Sequence, residues 1–373
     1  MARYESSSTT LGALQRGLGR GVFGDPSAPV AVLGDLSAAV AVFRDDYRWD
    51  GVDERAVYLA RLVRDFDLPV PSLIPFEQNL GALSVLGRCG VLPAVDALHE
   101  YVCSGPRWVE VLETLASDWP VEMWDDLRPV ALARLTPGVK LWGEPWKYWG
   151  LAAPLIRPVR RPLADRTTEE LLTLLSDDAV RELNRRGPHP ALLDVADSLS
   201  RMPSRLSSLY RSLELLGARA VPFARSWVAQ PDHPLRGGAV DVLARHGDES
   251  DLSIIVAEWD RLDDLPDFRC GYDTLAAGVA RIGARAAVPR LRKLWYSPHS
   301  YERAAYLRAL NVLDPVVAGP FLAEGLWDCE SSVRLLAVEH ATASQLGRLA
   351  SLRDDPMETA SVRAAAASRI SSV

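Results

Sequence analysis

Apolar residues in the first third of the chain recur at three- and four-residue spacing over seven stretches: 9–20, 28–43, 53–66, 78–88, 92–104, 106–117 and 121–135. That is the period of a helix with one buried face, and short turns carrying Gly, Pro or Asp separate the stretches. Val57, Leu59, Leu62, Val63 and Phe66 show the stripe, with Arg55, Arg61, Arg64 and Asp65 on the opposite face. Connections this short make neighbouring helices antiparallel, so helical hairpins are the expected unit.

The pattern breaks over residues 136–166, which hold five prolines, three glycines, three tryptophans and six basic residues against two acids. Proline at that density excludes a regular helix through most of the stretch, which reads as a connector lying over the helical body. Helices resume at Thr167, where Thr167 or Thr168 can cap and Glu169 and Glu170 place negative charge in a first turn.

From about Ser204 the helical pattern becomes periodic. Trp227, Trp259, Trp295 and Trp327 are separated by 32, 36 and 32 residues, and Arg236, Arg269, Arg303 and Arg334 keep step, with Arg363 continuing the series. Two residue types recurring together at that interval mark a stacked repeat. The turns agree with this reading, because LELLGARAVP at 213–222 and ARIGARAAVP at 280–289 both end one helix and lead to a Val-Pro that starts the next. Proline fits there because a first-turn residue needs no amide donor.

These residues, together with YERAAYLRALNVLDPVVAGPFLAEGLW at 301–327, SVRLLAVEHA at 332–341 and SVRAAAASRI at 361–370, resemble HEAT repeats, especially the short bacterial form also seen in phycobilisome-lyase-type proteins. RGLGRG at 16–21, RWD at 48–50 and DERAVYLARL at 53–62 are similar to segments of actinobacterial HEAT-repeat proteins. The resemblance implies an all-α fold, a right-handed α-solenoid of antiparallel helix pairs. On that reading residues 1–135 are degenerate helical repeats, 136–166 the connector packed on the solenoid, and 167–373 the HEAT-like repeats of one continuous body. It says little of function, since such folds serve scaffolds, inhibitors, nucleic-acid binders and some enzymes.

Charge and composition narrow the partners. A net charge of −7 and a pI near 5.5 oppose binding to nucleic acid or anionic membrane except through a local basic patch. Cys89, Cys103, Cys270 and Cys329 stand far apart without CxxC or Cys/His spacing, so neither a disulfide framework nor a zinc site is expected. The start MARYESSSTT lacks a signal-peptide pattern, and the most apolar stretch, 26–43, is interrupted by Gly34 and Asp35. The expectation is a cytoplasmic protein with no membrane span, metal or cofactor.

Each candidate for chemistry has a structural alternative. The ladder tryptophans could line a groove and stack on a partner, but their register points to seams between repeats; the ladder arginines are expected to pair with acids or carbonyls of the neighbouring turn. Gly19, Gly21 and Gly24 spell GxGxxG, yet a helical stretch precedes them and Asp25-Pro26 follows, so the segment reads as a mobile turn and not a dinucleotide loop. His189, His233 and His299 lie in separate inter-helix turns, too far apart for one metal, and are expected to hydrogen-bond locally. Trp124 and Asp125 resemble the tryptophan–aspartate pair of HEAT-like alkylpurine DNA glycosylases, which hold a cationic base between aromatic faces. In the connector, Trp142, Trp146 and Trp149 interleave with basic residues, and Arg160 and Arg161 follow; such a mixture suits an acidic peptide or, alternatively, pins the connector in place.

No catalytic signature emerges. The reading is therefore a non-enzymatic scaffold or adaptor that holds a protein partner on its concave face and connector. The contact residues would be Arg225, Glu258, Arg290, Lys293 and Glu324 on the second helices, with Trp142, Trp146, Trp149, Arg160 and Arg161 in the connector. The alternative is a nucleic-acid-binding protein of the glycosylase type acting through Trp124 and Asp125.

Overall fold

The computed structural model describes residues 3–23, 36–48, 53–70, 78–136, 141–152, 163–174, 176–187, 189–201, 207–265 and 270–372. They form twenty-one α-helices joined by turns and short 3-10 segments, and no strand occurs among them, as the all-α expectation requires. No helix among the described residues is long and apolar enough to cross a membrane. Two compact units share the chain, one of residues 1–156, 296–304 and 319–373, the other of 157–295 and 305–318.

The second unit shows why the periodic sequence folds as pairs. Ser207–Leu216 is followed by Val221–Val228, Arg236–His246 by Leu252–Asp263, and Tyr272–Ile282 by Val288–Leu294. A 3-10 segment joins the members of each pair: Gly217–Ala220, Glu249–Asp251 and Arg285–Ala287. Pro222 and Pro289 both sit in the first turn of the second helix, where the expected Val-Pro start places them. Helix Arg236–His246 packs against Ser207–Leu216 on one side and Tyr272–Ile282 on the other. First helices thus stack on first helices, an arrangement compatible with a helical repeat. Leu209, Leu213, Leu216, Trp227, Val242 and Leu243 belong to the core that this stacking closes.

The first unit brings the two ends of the chain into one core. Leu14, Tyr58 and Leu62 belong to the same buried cluster as Leu326, Trp327, Leu349, Leu352 and Val362. Backbone and side chain both fasten the ends: the Cys329 amide donates to the Gly17 carbonyl at 2.8 Å, and the Ser331 amide and hydroxyl donate to Glu54 at 2.7 Å each. Gly17, at φ 67°, stops the first helix at Gln15, short of the expected residue 20. Of the segment read as a mobile turn, Gly24 lies outside the described residues, and Gly19–Gly21 is a 3-10 turn with both glycines buried, where a Cβ at Gly19 would stand 2.3 Å from the Glu324 carbonyl. Glycine is what lets the two backbones approach there.

The last expected N-terminal helix, 121–135, is broken. Val121–Met123 and Asp125–Leu127 are 3-10 turns, and an α-helix runs only over Arg128–Arg134. Pro129 accounts for the late start, since it has no amide to donate and fits only a first turn.

Candidate functional site

The ladder tryptophans are interior residues. Trp227, Trp259, Trp295 and Trp327 are all at most 4% exposed, so none offers an open face for stacking. Two are engaged within their own units: the Trp227 indole donates to Asp197 at 2.8 Å and stacks on His233, while Arg348 lies 3.6 Å from the centre of Trp327. His233 also accepts from the Leu235 amide at 3.2 Å, the local role expected for it.

The ladder arginines find acids. Arg236 donates to Glu258 at 2.7 Å, and Arg334 grips Glu358 through Nε and Nη2 at 2.7 Å each. Arg303 is fully buried against Asp328. The three acids follow their arginines by 22 to 25 residues: Glu258 stands on the second helix of the same pair, and Asp328 and Glu358 in the turns after Pro315–Gly325 and Leu346–Asp354. Arg363 is exposed, and Arg269 lies outside the described residues.

Most of the residues expected to meet a partner are engaged internally. Arg225 binds Asp248 at 2.7 Å and Asp251 at 2.8 Å; Glu258 is buried between Arg236 and Arg261; Arg290 pairs with Asp260 at 2.5 Å over the face of Trp259. Glu324 is buried under Arg20, which reaches both carboxylate oxygens. Lys293 alone of these five is exposed with no such pair.

The connector is tied down by its indoles. Trp146 is fully buried and donates to Glu113 at 2.7 Å, and Trp149 donates to Asp125 at 2.7 Å. Trp124 is also buried, donates to the Trp119 carbonyl at 3.2 Å, and meets Tyr148 and Trp149 edge-on. Trp124 is thus closed in by its neighbours, whereas the adjacent Asp125 is exposed and accepts from Trp149 through Oδ1. Trp142 and Tyr148 remain outside, at 49% and 58% exposure, beside exposed Lys147. Arg160 and Arg161 lie outside the described residues.

What sequence reading missed is a groove in the second unit, a cavity of about 380 Å³ between helices Ser207–Leu216 and Arg236–His246. Ser207, Tyr210, Arg211 and Glu214 line one wall, and Gly238, Asp241, Val242 and Arg245 the other, with His246 at one end. Both sets follow the i, i+3, i+4, i+7 spacing of a single helix face, so each wall is a polar stripe. That spacing was legible; that the two stripes face one another was not. Glu214 takes Arg211 at 2.6 Å and Arg245 at 3.3 Å.

Asp241 differs from its neighbours. Its carboxylate is solvent-accessible but crowded by protein, and among the described residues it has no hydrogen-bond donor or ion-pair partner. Burial pushes its pKa up to about 6; Arg245 opposes the rise, and Asp273, Glu258 and Glu214 add to it.

No protein-family model, curated protein or solved structure matches this chain. The roles of its residues rest on geometry.

The densest buried charge is in the first unit and serves packing. Arg61 joins Asp355 at 2.7 Å and Glu358 at 3.0 Å, and Arg64 joins Asp355 at 2.5 Å. Nearby, ligand-type atoms of Asp53, Cys329 and Glu330 lie within 4.8 Å of one another, with Arg55 supplying counter-charge 3.1 Å from Asp53. Burial, reinforced by Asp328, Asp53 and Glu54, pushes Glu330 up to about 7 even though the Ser300 hydroxyl donates to it.

Proposed function

We propose that this protein is a non-enzymatic scaffold or adaptor that holds a protein partner on the exposed polar stripes of its helical pairs. The observation that carries the proposal is the mixed-charge groove of about 380 Å³ between helices Ser207–Leu216 and Arg236–His246. The ladder tryptophans are buried and Arg236, Arg303 and Arg334 are paired with acids elsewhere. Tyr210, Asp241 and Arg245 belong to neither set, which is what a surface kept for recognition requires. Alternating charges of both signs give a partner register and specificity more than raw affinity. Trp142, Lys147 and Tyr148 form a separate exposed aromatic and basic contact within the first unit.

A photo-crosslinking side chain placed at Tyr210, with another at exposed Val316 as control, tests this in the native cell. Recovery of one protein adduct from position 210 and not from 316 supports the scaffold. Absence of any position-specific adduct, or nucleic acid bound with a steep salt dependence, overturns it in favour of the nucleic-acid reading.

A further inference from the structure

Resting on that reading, we infer that the groove is an arginine-binding site: Asp241 receives the guanidinium of an arginine side chain presented by the partner protein, against the ring of Tyr210. Three observations carry this. The first is the missing counter-charge. Of the two carboxylates lining the groove, Glu214 is held by Arg211 and Arg245, whereas Asp241 has no hydrogen bond or ion pair among the described residues. Burial raises its pKa, and Asp273, Glu258 and Glu214 add to the rise against the nearby Arg245. A cation delivered from outside removes that deficit, and an anion deepens it.

The second is the wall beside it. Tyr210 is 37% exposed, but its ring is fixed: the hydroxyl donates to the Pro234 carbonyl at 3.1 Å, and the ring lies so close to Gly238 that a Cβ there would stand 2.3 Å from it. A preset aromatic face next to an unpaired carboxylate suits a flat organic cation, which can stack and hydrogen-bond at once. The third is the ligand set. A hard divalent ion takes at least six oxygens, and one uncommitted carboxylate does not provide them. A guanidinium needs only the two oxygens of one carboxylate. The volume of about 380 Å³ lies at the small end of ligand pockets, room for a side chain and its adjoining backbone.

The test uses the full chain with three probes: acetyl-Gly-Arg-Gly-amide, the same peptide with citrulline for arginine, and spermidine. Binding is measured by saturation-transfer NMR and titration calorimetry, and folding by thermal melting. The arginine peptide should bind at least tenfold more tightly than the citrulline peptide and than spermidine. Asp241→Asn should abolish that preference while leaving the melting temperature unchanged or raised, because the carboxylate it replaces has no partner. Gly238→Ala, which displaces the Tyr210 ring, should weaken the arginine peptide several-fold.

Equal binding of arginine and citrulline peptides overturns the inference, as does an arginine preference that survives in Asp241→Asn. Tighter binding of spermidine points to a free polyamine and overturns the protein source. A fall in melting temperature for Asp241→Asn also counts against it, since it makes the residue structural. The scaffold reading fails separately: arginine-peptide binding without a crosslinked partner removes the scaffold, whereas a crosslink at position 210 without arginine preference removes only the arginine site.

Discussion

Replacing Arg334 with methionine removes a guanidinium that is 1% exposed and makes four short hydrogen bonds, two to Glu358 at 2.7 Å, one to the Asp328 carbonyl at 2.7 Å and one to the Cys329 carbonyl at 2.6 Å. Methionine replaces most of the apolar stem, so the loss is electrostatic and not a cavity. Breaking a buried ion pair costs about 3–5 kcal/mol, chiefly because the surviving charge is stranded. Glu358 is not wholly stranded here: Arg61 still reaches it at 3.0 Å and the Thr359 amide at 2.8 Å. That places the ion-pair loss at the low end, and the two deserted carbonyls add about 1 kcal/mol, for a total of about 4 kcal/mol. In a unit of this size the melting temperature should fall by roughly 8–15 °C. Urea unfolding followed by circular dichroism gives the free energy. The double variant Arg334→Met, Glu358→Leu should recover at least about 1 kcal/mol relative to additivity, because the stranded charge is then gone. A loss below about 1 kcal/mol for the single variant, or strict additivity in the double, would refute the claim that this pair locks the first unit.

Three further outcomes follow from the same geometry. Burial raises the Asp355 carboxyl, but Arg61, Arg64 and the Met357 amide outweigh it and hold its pKa at about 2. Its stabilising contribution, about 2 kcal/mol, is present above pH 4 and lost as pH falls from about 4 to 2, so Asp355→Asn should be less stable than wild type at pH 7 and no longer show that acid-dependent loss. Glu330 has the opposite sign: its pKa, pushed up to about 7 from an ordinary value of 4.5, makes the fold lose stability as pH rises from about 4.5 to 7. Glu330→Gln should therefore match wild type near pH 4 and be more stable at pH 8 by up to about 3 kcal/mol in urea unfolding; an equal difference at both pH values would refute it. In the connector, Trp146→Ala should cost about 3–5 kcal/mol by calorimetry, since the ring is fully buried, whereas Trp142→Ala, about half exposed, should leave stability within about 0.5 kcal/mol.

The amino-acid sequence by itself determined most of the helices and the burial of the ladder tryptophans, but not the place of every charge: Arg55 and Arg61, read on the polar face of their helix, are buried. Apolar spacing located helices such as Arg55–Asp65 and Leu92–Ser104 to within a residue or two, and Val221-Pro222 and Val288-Pro289 marked the starts of second helices, because periodicity and proline chemistry are local properties. Where local rules competed the reading slipped, as at 121–135, where Pro129 overrode the apolar spacing. The tryptophan register also sufficed to expect burial.

Only the tertiary structure decided which helix buries which face. Arg61 pairs with Asp355 and Glu358 from 294 and 297 residues away, and the Gly17 carbonyl meets the Cys329 amide, contacts for which one sequence carries no signal. The same holds for function. Arg225, Glu258, Arg290 and Glu324 looked available and are paired, while Asp241 looked ordinary and is not. A helix face is written in the spacing of its residues, but the partner of a charge depends on three-dimensional proximity, and the stripe opposite Tyr210 exists only once the two helices stack.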